Sequence, residues 1–438
     1  MSPRIAVVGG GITGLAAAYE LRRMAPDAEI VVLEASDRVG GKVGTSEFAG
    51  RAVDEGADAF LARVPWALDL CRELGIDAEL VSPAQQSAYV WSRGALRRLP
   101  SGLVLGVPTD FDAVAASGIV TEPITARPAS APLADGDDIS VGALVRSQLG
   151  DAVFERLVDP LVGGINAGDG DRLSVRAAAP QIAAAAERDR DLVAALRAQP
   201  PPQPGPVFYA PEGGMGALID ALVDVLRESR VALHLDRDVN DLDAVDADAI
   251  VVTVPAYRAA PLLRPSAPSV ADLLDGIAYA SVALVTFAFP AEAIARPLDA
   301  SGFLVPRTEG LLMTASSWSS SKWAHLASET STLMRVSAGR FGDDRASNLD
   351  DDALVRTLLD EVAATTDVNG EPLDVRVRRW PSSFPQYEPG HLDRVDAIEV
   401  ALAAALPRVV LAGAALRGIG VPACIRQGRE AAREVLSR

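Results

Sequence analysis

Arg4-Ile5-Ala6-Val7-Val8-Gly9-Gly10-Gly11-Ile12-Thr13-Gly14-Leu15-Ala16-Ala17-Ala18-Tyr19-Glu20-Leu21 is the stretch from which the fold is read. Residues 4–8 are a short apolar run of strand length, and residues 9–14 are a glycine turn. Residues 15–24 place Leu15, Ala18, Tyr19 and Leu21 on one helical period, with Glu20, Arg22 and Arg23 on the polar side. A second strand follows over residues 29–34 (EIVVLE), so the start of the chain reads as a βαβ unit on a parallel sheet.

The turn has the form GxGxxG. Gly9 permits the tight turn, Gly11 lets the backbone approach a pyrophosphate, and Gly14 lets helix and strand pack closely. The helix start offers unpaired N–H groups and a positive dipole end to phosphates. Glu34 ends the next strand twenty residues past Gly14, where a carboxylate accepts hydrogen bonds from ribose hydroxyls. The competing reading is a glycine turn with a solvated glutamate. Arg38 and Gly40-Gly41 follow at once, and a second glycine doublet suits the long ribityl arm of FAD better than a nicotinamide cofactor. Asp54-Glu55-Gly56-Ala57-Asp58-Ala59-Phe60 is small and acidic, which suits a close backbone pass but also suits any turn. At the far end, Gly413 and Gly418-Ile419-Gly420-Val421-Pro422 open a helix to Leu436, with Pro422 at a first-turn position. Its N-terminus either stabilises charge on a reduced flavin or is an ordinary capped end.

At 438 residues the chain is long enough for two to four domains, and 49% hydrophobic with 23% charged residues is ordinary globular usage. The charge is 41 − 59 = −18, a poor match to phosphate backbones or anionic membranes. Lys42 and Lys322 are the only lysines. Cys71 and Cys424 are far apart, and His234, His325 and His391 do not cluster in sequence, so neither a redox dithiol nor a metal site is suggested. The longest apolar stretch, residues 277–289, is interrupted and short for a membrane span, and the N-terminus lacks a leader pattern. A reduced cytoplasmic compartment is the expectation.

Along the chain, residues 65–74 read as a helix opened by Pro65 and closed by Gly75. Residues 141–149, 152–158 and 180–198 read as helices before the stiff run Gln199-Pro200-Pro201-Pro202-Gln203-Pro204-Gly205-Pro206, a boundary. A helix over 217–228 and strands over 231–235, 249–254, 281–289 and 408–412 follow. The expected architecture is α/β (α+β overall). A Rossmann-like FAD-binding domain comes from discontinuous segments 1–80, 206–275 and 377–438. A mixed-sheet substrate domain covers 81–100 and 276–376, and a helical insertion covers 101–205, with membrane contact of one of its faces left open by the sequence.

GGGITGLAAAYEL, EASDRVGGK, DEGADAF and AGAALRGIGVPACIRQGREAA make the chain resemble the FAD-dependent protoporphyrinogen/coproporphyrinogen oxidases, within the amine oxidase–phytoene desaturase flavoproteins. Residues 160–169 with Leu173-Ser174, residues 321–325, and Trp380 through Pro385-Gln386-Tyr387 to Gly390-His391 carry the narrower likeness. The resemblance implies one non-covalent FAD per chain. It would be held by Gly9, Gly10, Gly11, Ile12, Thr13, Gly14, Glu34, Ala35, Arg38, Gly41, Lys42, Gly56, Ala57, Asp58, Ala59, Val239 (through its backbone to adenine), Gly413, Ile419, Gly420 and Val421. Trp380 would lie beside the isoalloxazine, or else be a core tryptophan. Ala414-Ala415 departs from relatives with Asp or Asn there, which puts one polar contact in doubt.

The resemblance further implies a porphyrinogen substrate, dioxygen reduced to peroxide, and a place in haem biosynthesis. It leaves room for peripheral contact with the cytoplasmic membrane face and transient contact with the next enzyme of the pathway. Coproporphyrinogen III is favoured over protoporphyrinogen IX. An amine oxidase with Lys322 near the flavin, a carotenoid-type desaturase and a non-catalytic flavin binder are the alternatives. No Ser-His-Asp set or carboxylate pair is evident, which agrees with a cofactor that takes the hydride itself. Arg93, Arg97 and Arg98 cluster around Trp91 and Leu96; they pair with propionates or form a solvated hairpin. On the first reading, Arg97→Glu raises KM for the tetracarboxylate substrate; an unchanged KM in steady-state kinetics removes it.

Overall fold

A computed structural model describes residues 2–200 and 204–438, so Pro201, Pro202 and Gln203 of the expected linker lie outside the described residues. The chain divides into two compact units, Met1–Ser82 with Pro206–Ala278 and Leu392–Arg438, and Pro83–Gly205 with Tyr279–His391.

In the first unit, three separate chain segments build one five-stranded sheet. Its order is Ala232–His234, Glu29–Leu33, Arg4–Val8, Ala249–Val252 and Val409–Leu411, every pairing parallel. This is the strand order of a doubly wound dinucleotide-binding sheet, with the glycine turn at the carboxyl end of its central strand. Ile5, Ala6, Val7 and Val8 are all buried, as expected of a strand covered on both faces. The Ile12–Met24 helix begins three residues earlier than its periodicity suggests, because the fingerprint itself forms the first turn. It packs against the terminal Val421–Ser437 helix at van der Waals limits: a Cβ on Gly428 would stand 2.2 Å from Thr13 O. Two ion pairs flank that contact, Arg433 to Glu20 at 2.8 Å and Arg429 to Glu73 at 2.6 Å.

The second unit holds a seven-stranded mixed sheet in the order Asp374–Pro385, Tyr279–Pro290, Ser331–Ala338, Met313–Ser317, Gly302–Leu304, Tyr89–Ser92 and Ala95–Arg98. All its pairings are antiparallel except Gly302–Leu304 with Tyr89–Ser92. Phe287, Phe289, Phe303, Trp318 and Met334 form its core with Leu354, Leu358 and Val362 of the Asp351–Thr366 helix. Residues 101–200 belong to this same unit but carry a core of their own around Val145, Phe154, Ile182 and Leu196.

Three local readings change. The helix expected over 180–198 is two, Pro180–Arg188 and Leu192–Arg197; Asp191 caps the second by accepting from Ala194 N at 2.9 Å. Residues 152–158 contain a wider π turn, Phe154–Val158, which continues into the Asp159–Asn166 helix. Residues 160–166, which have no helical reading in the sequence, are therefore helical, and the helix stops where Ala167 takes a left-handed φ of 43°. Among the described residues, no helix is long and apolar enough to cross a membrane.

Gly428→Ala forces the two helices apart and is expected to destabilise the protein by about 1–3 kcal/mol, the usual range for overpacking. Thermal unfolding followed by circular dichroism checks this; an unchanged Tm contradicts the close contact.

Candidate cofactor site

The site forms where the central strand of the first unit turns into its first helix. Gly9 has φ +106°, a region closed to most L side chains, and its N–H donates to Leu33 O at 2.8 Å. Gly14 is a packing glycine: a Cβ there would lie 1.9 Å from Gly9 O. Gly11 differs, since a Cβ on it would meet nothing within 4 Å. A side chain is therefore missing at Gly11 beside open space rather than beside protein. Thr253, at the end of the neighbouring strand, locks the turn by donating its hydroxyl to Gly9 O at 2.9 Å. Ile12 and Thr13 are buried beneath the first helical turn.

The second glycine pair lies directly on the first. Gly40 N donates to Gly10 O at 2.8 Å, and a Cβ on Gly41 would stand 3.3 Å from Gly11 Cα. Arg38 holds this loop from below, donating to Gly41 O at 2.9 Å, with its guanidinium 3.9 Å from the buried Glu55 carboxylate. Gly56, Ala57, Asp58 and Ala59 continue from Glu55 as a half-buried segment.

Glu34 is fixed from three sides. Its Oε2 accepts from Gly10 N at 2.7 Å, and its Oε1 accepts from Ser36 N at 2.9 Å and Ser36 Oγ at 2.7 Å. Ala35, next to it, is exposed. Arg237 N donates to Glu34 O at 2.8 Å, which lays the segment carrying half-buried Val239 beside the strand end.

From the C-terminal end come Gly413, on which a Cβ would sit 3.6 Å from Thr253 O, and half-buried Ile419 ahead of the Val421–Ser437 helix with Gly420 as its cap. Burial lowers the Lys42 ammonium below the usual lysine range, and the nearby Cys424 works against that shift. Burial also raises the Cys424 thiol. A thiol held in its protonated form is a poorer nucleophile than a thiolate.

The first unit thus gathers all of the sequence-derived cofactor residues except Trp380. Trp380 belongs to the second unit, half-buried on the Asp374–Pro385 strand opposite Val282. Arg93, Arg97 and Arg98 also belong there, on the Tyr89–Ser92/Ala95–Arg98 hairpin, and all three have protein partners. Arg98 donates to Asp299 Oδ2 at 2.6 Å, Tyr89 Oη at 2.8 Å and Ser87 Oγ at 2.6 Å. Arg93 reaches Gly118 O and, at 3.2 Å, Ile119 O. Arg97 Nε donates to Ser92 O at 3.3 Å. Thr253 and Ser36 escape a reading of motifs; the only signal is that each sits just past a strand ending in the sheet.

A parallel sheet, an open glycine cradle, a pinned carboxylate and a second glycine loop define a dinucleotide-binding oxidoreductase, and the donor set fits the phosphates and ribose of FAD. Residues 12–436 match the family model described as flavin containing amine oxidoreductase, and the chain belongs to that family, with FAD as its cofactor. It is 32% identical to the coproporphyrinogen III oxidase of Bacillus subtilis (strain 168), covering 99% of this chain and 98% of the relative. It is 38% identical to the coproporphyrinogen III oxidase of Mycobacterium tuberculosis (strain ATCC 25618 / H37Rv), covering 100% and 98%. A solved structure of a protein from Exiguobacterium sp. 255-15 superposes with a TM-score of 0.86 at 30% identity over 100% of both chains.

Glu34→Gln keeps an acceptor for Gly10 N but removes the charge from the bonds that Glu34 would make to ribose. FAD affinity is expected to fall about tenfold, the scale of one charge-assisted hydrogen bond, with FMN affinity unchanged because FMN has no adenosine ribose. Flavin fluorescence titration of the apoprotein checks this; equal losses for FAD and FMN contradict the assignment.

Proposed function

We propose that this chain oxidises coproporphyrinogen III to coproporphyrin III, passing the electrons to dioxygen. The observation that carries the reading is full-length similarity to relatives named for that activity, at 32% and 38% identity. The cofactor architecture described above supports it.

Bound FAD supplies a two-electron acceptor that no side chain of this protein offers. The chain's contribution is to hold and polarise. Backbone N–H groups around Gly11 and the start of the Ile12–Met24 helix take the pyrophosphate. Glu34 takes the ribose, oriented by Gly10 and Ser36. The Val421–Ser437 helix presents its unpaired N–H groups and positive dipole end to negative charge ahead of Gly420.

A strong protein base is not required. Each meso carbon of a porphyrinogen lies between two pyrroles, whose nitrogen lone pairs push the hydride out. Each round also releases one proton, and tautomerisation leaves four meso C–H and two pyrrole N–H groups in the porphyrin. Three two-electron rounds convert the macrocycle to the porphyrin and reduce three dioxygen molecules to peroxide. Lys322, the lysine an amine oxidase reading would use, has its Nζ 5.2 Å from the centre of the Trp323 ring. Activity on protoporphyrinogen IX is the second reading, favoured by 30% identity over 98% of this chain to a chloroplastic protoporphyrinogen oxidase of Arabidopsis thaliana. Cytoplasmic residence is part of the same proposal.

The FAD-loaded protein in air, given coproporphyrinogen III, protoporphyrinogen IX or a panel of amines, is expected to produce porphyrin fluorescence fastest with the first. Peroxide should appear in step with porphyrin, three per ring. Amine turnover without porphyrin overturns the proposal, and faster turnover of protoporphyrinogen IX replaces it with the second reading.

A further inference from the structure

Arg340 lies two residues beyond the end of the Ser331–Ala338 strand of the second unit, and only 9% of its surface is exposed. A guanidinium carries five N–H donors and remains charged in proteins. Among the described residues Arg340 makes one side-chain hydrogen bond, Nη1 to Val305 O at a long 3.4 Å, and its Nε has no acceptor. No described carboxylate lies within ion-pair distance of it; Asp159 and Asp343 are near enough to act on its charge, and each also faces another arginine. Asp343 is held in a fork by Arg345, at 2.9 Å and 2.7 Å. Asp159 accepts from Gly170 N at 2.9 Å and faces Arg307 at 3.5 Å. Burial, with Arg307 adding like charge, pulls the Arg340 pKa down to about 10. It therefore stays cationic at neutral pH. A buried cation with no carboxylate in direct contact is unfavourable, and structures that keep one generally have something that pairs with it.

A second unmet group belongs to the same unit. Gln386 is 3% exposed; its Nε2 donates to Asn166 O at 3.2 Å and Phe384 O at 3.1 Å, which fixes the amide's orientation, and its Oε1 accepts from nothing among the described residues. Residues 166–168 connect the two. Gln386 bonds the Asn166 carbonyl, Phe341 N bonds the Ala167 carbonyl at 2.8 Å, and Arg307 bonds the Gly168 carbonyl at 2.6 Å. Just before them Ile165 is 54% exposed, the one large apolar side chain left open among the described residues 101–200. An unpaired acceptor and an open apolar side chain thus attend one short segment, and the residue that follows Arg340 bonds to it.

We propose that Arg340 receives a carboxylate, that of a propionate on the porphyrinogen substrate. A carboxylate matches the planar fork of a guanidinium in two parallel bonds and supplies the missing charge. The pyrrole N–H groups of the same substrate are donors of the kind Gln386 Oε1 lacks, and Ile165 offers the apolar surface such a ring needs. This rests on the function proposed above. It places a propionate contact apart from Arg93 and Arg98, whose guanidiniums are taken by Asp299 and by backbone carbonyls.

The test uses the FAD-loaded protein and measures coproporphyrin III affinity, with its tetramethyl ester as the uncharged control and succinate as the small carboxylate. Arg340→Met is expected to weaken coproporphyrin III binding about tenfold or more and to raise KM for coproporphyrinogen III by a similar factor, with kcat within about twofold. Arg340→Lys should fall between, and ester binding should not respond. Unchanged coproporphyrin III affinity in Arg340→Met overturns the proposal while turnover by the wild type leaves the function standing. A Tm rise with succinate that is lost in Arg340→Met, alongside unchanged porphyrin affinity, overturns it in favour of a small-anion site. A wild type that neither turns over coproporphyrinogen III nor binds coproporphyrin III overturns the function and this inference with it. Should neither variant fold, bromide soaked into wild-type crystals decides: an anomalous peak on the Arg340 guanidinium, displaced by coproporphyrin III, supports the site, and a bare guanidinium rejects it.

Discussion

Backbone approach at two glycines governs the first unit. A methyl group on Gly14 would strike the carbonyl of Gly9, and one on Gly428 would strike the carbonyl of Thr13. The first helix is thereby clamped between the central strand beneath it and the last helix of the chain beside it. The clamp joins the two ends of the polypeptide, and it sets where the turn's N–H groups point. Once the turn is placed, Gly10 N lands on Glu34 and Gly40 N lands on Gly10 O, so carboxylate and second glycine loop are positioned by the same geometry. Very little of this depends on side-chain identity beyond the glycines, Thr253, Ser36 and Glu34.

The cofactor unit is a mould with few reactive groups. Its two cysteine thiols are both buried, Cys71 pushed up to about 12 by burial, and its buried carboxylates Glu20 and Glu55 face arginines. Such a unit suits chemistry in which a bound group accepts electrons and the substrate's own nitrogens drive their release. The second unit handles charge differently. Its surface arginines are mostly matched, Arg98 by Asp299 and Arg345 by Asp343, whereas buried Arg340 is left unbalanced. Unequal treatment of chemically identical side chains is informative, because partners for a cation are plentiful in an acidic protein.

Much of the first unit is legible in sequence because its determinants are local. GxGxxG between an apolar run and a helical period, with Glu34 at the end of the next strand, fixes strand, turn and helix without reference to the rest of the chain. The second unit is less so. The break at Asp191 is a capping event inside an alanine-rich stretch whose periodicity runs straight through it. The π turn at Phe154–Val158 and the left-handed Ala167 have no residue signature, since neither contains glycine at the critical position. Arg340 and Gln386 are invisible as a pair: they are 46 positions apart in a chain full of arginine, and what marks them is the absence of partners, which only packing reveals. Conversely, the hairpin arginines stand out in sequence as a cluster, and packing shows them occupied.

The account stands on one FAD held without a covalent bond by the glycine cradle of the first unit. The most direct measurement is the flavin content of the purified protein after acid precipitation. One FAD per chain in the supernatant over a colourless pellet is the predicted result. A protein that emerges colourless and stays so on incubation with FAD contradicts the account, and a pellet that remains yellow contradicts the non-covalent attachment.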